Sequence, residues 1–218
     1  MDASQIISIA VFVIALGLII SEKVHRALVA VVGAVVLMAT GVLPFDVAVT
    51  HLDFNTLGVL FGMMLFVSVV KLSGIFEYLA IQCARIAKGD PWRIMVLLII
   101  LTAVLSAFLD NVTTVLLIGP MTLTLCNLLK VDPVPFFITE IMASNIGGTA
   151  TLIGDPPNIM IGSAAGFDFA DFIMYDAPAV VIILAVVIVI FYFMYGRNMH
   201  VGQAEIDAVM KLDPDNYI

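Results

Sequence analysis

Residues Ala143 to Gly166 read ASNIGGTATLIGDPPNIMIGSAAG, and this stretch decides the fold. It lies in sequence apolar enough for a membrane interior, yet it cannot form one continuous helix. Gly147, Gly148 and Gly154 weaken helical order, and Pro156 and Pro157 remove two backbone donors and push the residues before them out of the helical region. The chain must open here. Lipid offers bare N–H and C=O groups nothing to bond, so an opened backbone at bilayer depth belongs against protein or a watery cavity. Broken helices of this kind bring helix ends, with their partial charges, to the depth where secondary transporters hold solute and coupling ion.

The rest of the chain supports a membrane setting. Its 218 residues are 62% hydrophobic and only 12% charged, with a mean hydropathy of +1.17. No soluble domain of ordinary make-up reads this way. At about 20 residues per helical span there is room for roughly five or six crossings and no soluble catalytic domain. The net charge of −8 suggests repulsion from nucleic acid and from anionic lipid, but the acids cluster in loops and tail, and the apolar composition makes the bilayer the expected partner. Cys83 and Cys126 sit in apolar surroundings without metal-site spacing. The N-terminus lacks a basic leader region and a small-residue cleavage site, so it reads as a retained first span.

The expected fold is an all-α polytopic membrane protein, with a permease repeat over residues 1–195 and a cytoplasmic tail over 196–218. Spans occupy about 5–70 and are joined by a basic link (Lys23, Arg26) and an acidic loop (Asp46, Asp53). An amphipathic interfacial helix follows at about 72–88. Apolar runs on either side of Asp110-Asn111 form either two full spans or a re-entrant hairpin over about 92–130. A broken helix occupies about 133–165, an acidic loop runs from Gly166 to Asp176, and a last span covers about 178–195. With the N-terminus outside, Lys23, Arg26, Lys71, Arg85, Lys88, Arg93, Lys130, Arg197 and Lys211 all fall on the inner side, as the positive-inside rule requires. The expected location is therefore the plasma (inner) membrane with the tail in the cytoplasm.

Two polar islands interrupt the apolar sequence. One holds Asp110, Asn111, Thr113 and Thr114; the other holds Ser144, Asn145, Thr149, Thr151, Asp155 and Asn158. Each joins an Asn, hydroxyls and a carboxylate to irregular backbone. That oxygen-rich set suits a hard monovalent cation or, through N–H groups and helix N-termini, an anion. The islands read as facing halves of one site. An ionised Asp at the helix centre costs about 2.5–3.5 kcal/mol, so Asp110 and Asp155 require a compensating proton, cation or cap. Asp110 either caps the following helix or carries a proton, and Asp155 either forms an Asx turn or binds the coupling ion. Isolated Thr102, Thr122 and Thr124 read as helix-joining hydroxyls. No enzyme is expected: Leu152 breaks the Gly-x-Gly-Asp pattern of intramembrane aspartyl proteases, and neither an HExxH nor a phosphate-binding GxxxxGK[ST] run occurs.

SAFLDNVTTVLLIGP (Ser106–Pro120) and ASNIGGTATLIGDPPNIMIG (Ala143–Gly162) resemble stretches of the ion transporter superfamily. The specific branch is that of arsenite permeases, sodium/proton antiporters and pink-eyed-dilution-type permeases. The resemblance implies a re-entrant hairpin with its tip at Asp110 to Thr114, a helix unwound around Asn145 to Asn158, and an elevator-type domain moving against a dimerising scaffold. Asn111 and Thr113 match the hairpin tip. Gly147, Gly148, Thr149, Gly154, Pro157 and Asn158 match the unwound segment. Asn111, Thr113, Gly148 and Asn158 are the implied sodium ligands, with sodium or a proton as coupling ion and no other cofactor. Such transporters carry two inverted repeats, and each motif occurs once here, so the chain is expected to be the N-terminal half, working with a second repeat.

Overall fold

The computed structural model describes residues 2–217; Met1 and Ile218, the ends of the expected repeat and tail, lie outside them. Regular structure among the described residues is entirely helical: α1 (Ala3–Ile20), α2 (Arg26–Ala39), α3 (Phe45–Thr50), α4 (Phe54–Lys71), α5 (Ile75–Ile86), α6 (Pro91–Ser106), α7 (Asn111–Leu129), α8 (Val134–Gly148), α9 (Pro156–Ala165), α10 (Phe169–Met194) and α11 (Gln203–Met210). The fold is that of an all-α polytopic membrane protein. Among the described residues four helices, α1, α4, α7 and α10 with the turn after it, are long and apolar enough to cross a membrane.

The chain forms two compact units, divided between Phe54 and Asn55. The first contains α1 to α3. α1 and α2 pack where Gly33 faces Val11 and Ala15; a Cβ there would meet Val11 at an ordinary contact distance of 3.6 Å. Phe12, Ile14, Leu28 and Val31 point outward, an arrangement suited to hydrocarbon and unfavourable in water.

The second unit is built around α6, α7 and α8. Ile94, Met95, Leu98 and Ile99 of α6, Ile118 and Leu125 of α7, and Phe136 of α8 are at most 1% exposed. α5 is the amphipathic helix expected at 72–88, and its apolar face (Phe76, Ala80, Ile81, Ala84) is buried within this unit. At one end Trp92 of α6 packs against Tyr192 of α10 in a tilted pair with ring centres 5.4 Å apart. Lys130, just past α7, pairs with Glu205 of α11 at 3.1 Å at the same end. The feet of α6 and α7 therefore lie on one side, and α6–α7 is a hairpin.

Three features depart from the sequence reading. The acidic loop expected at Gly166–Asp176 is mostly helix: Asp168 and Asp171 cap each other's backbone and start α10 at Phe169, so Pro178 lies inside the helix. The loop around Asp46 contains the short α3. The tail does not trail free. Ile206 packs against Gly89, whose φ of +71° puts it in the left-handed region, and Val209 is fully buried. The Lys130 ammonium holds the Glu205 carboxyl below the usual carboxylate range. That bond is present above the ordinary carboxylate pKa and is lost as pH falls through the lowered one.

Candidate functional site

The helix break lies within the expected stretch but is shorter than an unwinding from Asn145 to Asn158, since Asn145 is still in α8 and Asn158 already in α9. α8 ends at Gly148, residues Thr149 to Asp155 are irregular, and α9 begins at Pro156. Two prolines in the first turn of α9 sit where backbone donors have no intrahelical partner, so the helix restarts without cost. At about 1.5 Å per residue, α8 and α6 each run roughly 22–24 Å from their common end. The hairpin tip at Ala107 to Asp110 and the break therefore meet at one level, as the approach of Gly154 to Ser106 shows.

Glycine makes the meeting possible. A Cβ on Gly147 would lie 2.6 Å from the carbonyl carbon of Ala103, one on Gly154 would lie 2.8 Å from the Ser106 carbonyl oxygen, and one on Gly148 would overlap the Asn111 side chain. Backbone touches backbone at the first two positions. Thr151 fastens the loop, its hydroxyl donating to the Ala107 carbonyl while accepting from the Gly154 N–H at 3.2 Å.

Asn111 is the centre of the polar cluster. Its Nδ2 donates to Asn145 Oδ1 at 3.3 Å and to Asp155 Oδ2 at 3.2 Å, and its Oδ1 lies 2.9 Å from the Ser106 hydroxyl. That hydroxyl is also 2.8 Å from the Ser144 carbonyl, so one proton serves the tip and α8 in turn. Asn158, on the first turn of α9, reaches back across the break to donate to the carbonyls of Gly148 (3.2 Å) and Thr151 (2.9 Å). The last carbonyl of α8, which has no partner within that helix, and one carbonyl of the break thus gain a partner in α9.

The two aspartates differ. Asp110 caps α7, accepting from the Thr113 N–H at 2.9 Å, and Thr114 donates to its carbonyl at 3.0 Å. Asp155 begins α9 without capping it and instead accepts from Asn111. Both carboxylates stand at helix N-termini, where the helix dipole favours negative charge. The remaining hydroxyls turn inward on α8: Ser144 bonds the Ile141 carbonyl and Thr149 that of Ile146.

Cavities open on both sides of the break. One of about 340 Å³ is lined by Asp110, Asn111, Asp155 and Met63 and Met64 of α4. The other, about 600 Å³, is lined by Thr149, Asn158, Phe167, Asp171, Tyr175 and Asp176. Of the residues singled out in the sequence, Asn111, Asn145, Gly148, Gly154, Asp155 and Asn158 converge; Thr113 and Thr114 serve the cap. Sequence reasoning missed Ser106 as the link between tip and α8. Its place four residues before Asp110, at the end of an apolar run, was the available signal.

Comparison with known proteins agrees with this architecture. The chain matches the citrate transporter family, CitMHS, over residues 16–211. It is 42% identical over 213 residues to an uncharacterized transporter of Mycobacterium tuberculosis, covering 96% of this chain and 49% of that protein. Over 213 residues it is 41% identical to a 46 kDa membrane protein of Mycobacterium leprae, covering 96% of this chain and 50% of the relative. It is also 41% identical over 192 residues to the human P protein, covering 84% of this chain and 23% of the relative. The chain thus spans about half the length of the mycobacterial relatives it matches. With a family match running almost end to end and relatives that bear the same resemblance as its two polar motifs, the chain belongs to the citrate transporter family.

Proposed function

We propose that the chain is one repeat of a secondary active transporter that moves a small ion or anion across the plasma membrane, coupled to sodium or protons. The observation that carries this reading is the Asn111 amide joined to Asn145 and Asp155 where the hairpin tip meets the broken helix. No structural need calls for an opened helix, a polar hairpin tip and flanking cavities at one depth; a solute site does. The hairpin is re-entrant in this reading, because its tip meets the opened backbone between α8 and α9 inside one apolar stretch. Asn111, Thr113, Gly148 and Asn158 supply oxygens for a sodium ion, and the N-termini of α7 and α9 favour an anionic solute. Arg93, Lys130 and Arg197 cluster at the end that bears the tail, in keeping with a cytoplasmic tail.

A second repeat of opposite topology completes the site, and the complete transporter dimerises through its scaffold. The test is a counterflow and resistance screen in cells that express the chain with its complementary repeat, challenged with arsenite, sodium and organic anions. Saturable flux of one of them, dependent on a sodium or proton gradient, is expected. A complex that assembles but moves none of them would contradict transport and leave an assembly subunit.

A further inference from the structure

Glu140 lies apart from the site just described. It is the one charged residue of α8 and is 1% exposed. Its Oε1 lies 2.6 Å from the Thr122 hydroxyl of α7. Among the described residues Oε2 is buried without any hydrogen-bond partner. The surroundings supply no counter-charge. α7 has no charged residue, α6 has only Arg93 in its first turn, and α10, which also packs on α8, has only the acids Asp171 and Asp176 near its start; the ionisable group nearest Glu140 along α7 is the buried Cys126 thiol, one turn beyond Thr122.

An ionised carboxylate is poorly served here. It would accept one bond from Thr122 and leave a half-charged oxygen bare, among the most expensive arrangements a protein interior or membrane offers. The protonated acid fits better. Its O–H can donate to Thr122 Oγ, and the Thr122 proton can turn to a carbonyl one turn back, as Thr124 does with Pro120 at 2.9 Å. Only a neutral carbonyl oxygen then remains unpaired, a far smaller penalty.

We propose that Glu140 is a proton-binding site inside the α6–α7–α8 bundle, occupied in the packed arrangement and emptied when α7 and α8 part to admit water. Uptake adds one proton to the carboxylate, and release returns it to water. α8 links this site to the solute site, since it also carries Asn145 and Gly148. Proton movement at Glu140 is therefore coupled to solute movement, a role that rests on the transport reading above.

The test combines infrared spectroscopy with flux, on the chain purified with its complementary repeat in lipid. At neutral pH the wild type should show the carbonyl stretch of a protonated carboxyl that Glu140→Gln abolishes. Thr122→Val should shift that band, which keeps the assignment testable if Glu140→Gln does not fold. Solute uptake by Glu140→Gln should lose its response to an imposed pH gradient. Absence of the protonated band at neutral pH would overturn the proposal, as would an unchanged gradient response in Glu140→Gln. If the wild type moves no solute even in counterflow, the transport reading fails and the coupling with it, while the band still decides the proton site.

Discussion

Gly147→Ala is expected to be among the most damaging single substitutions in the chain, although it adds one methyl group. The new Cβ would stand 2.6 Å from the carbonyl carbon of Ala103. Backbone lies on both sides of that contact, so no side chain can swing away to relieve it. Small residues at crossings of this kind are what let membrane helices approach closely. Overpacking costs about 1–3 kcal/mol, and a backbone clash belongs at the upper end, a loss of about a hundredfold in the folded-to-unfolded ratio. The measurement is unfolding of the purified chain in mixed micelles. Gly62→Ala is the control: a Cβ at Gly62 of α4 meets nothing within 4 Å, so stability there should hold or rise by up to about 1 kcal/mol.

Asn111→Ala is expected to spare folding and remove binding. Asn111 is half-buried, and Asn145 is exposed, so water can reach the groups that lose their partner. Solute and coupling ion lose more. The substitution deletes the one side chain that joins the hairpin tip to Asn145 and to Asp155, leaving those two groups unpaired while Ser106 and Thr151 still hold tip and break together. Each polar group left unpaired costs about 1–3 kcal/mol, which corresponds to roughly a tenfold to hundredfold loss of apparent affinity in concentration-dependent flux. An affinity within twofold of wild type would remove Asn111 from the site.

Much of this was legible in the sequence because glycine and proline act locally. The Gly147-Gly148 pair and the Pro156-Pro157 pair bracket the break to within a residue or two, whatever surrounds them, and Asp110 followed by Asn-Val-Thr-Thr reads as a helix start. The start of α10 was not legible. Pro178 looked like a first-turn proline, and the mutual caps of Asp168 and Asp171 looked like loop acids. The docked tail was hidden for a different reason: Ile206 and Val209, in a helix of only eight residues, carry little signal until Gly89 is seen opposite Ile206. Glu140 was overlooked because no helix break marks it. Its signal was simply a lone charge on an apolar helix. Thr122 does join helices, as isolated hydroxyls in membranes commonly do, and its partner turns out to be that charge.

The central claim is that hairpin tip and helix break enclose a wet polar site deep in the bilayer. It is tested most directly by a nitroxide at Asn145, with Cys83 and Cys126 replaced by alanine, in lipid bilayers with the complementary repeat present. Paramagnetic quenching should report a depth near the bilayer centre together with collisions with a polar nickel complex, the signature of water far below the headgroups. A label at headgroup depth, or a deep one quenched by oxygen alone, would contradict it.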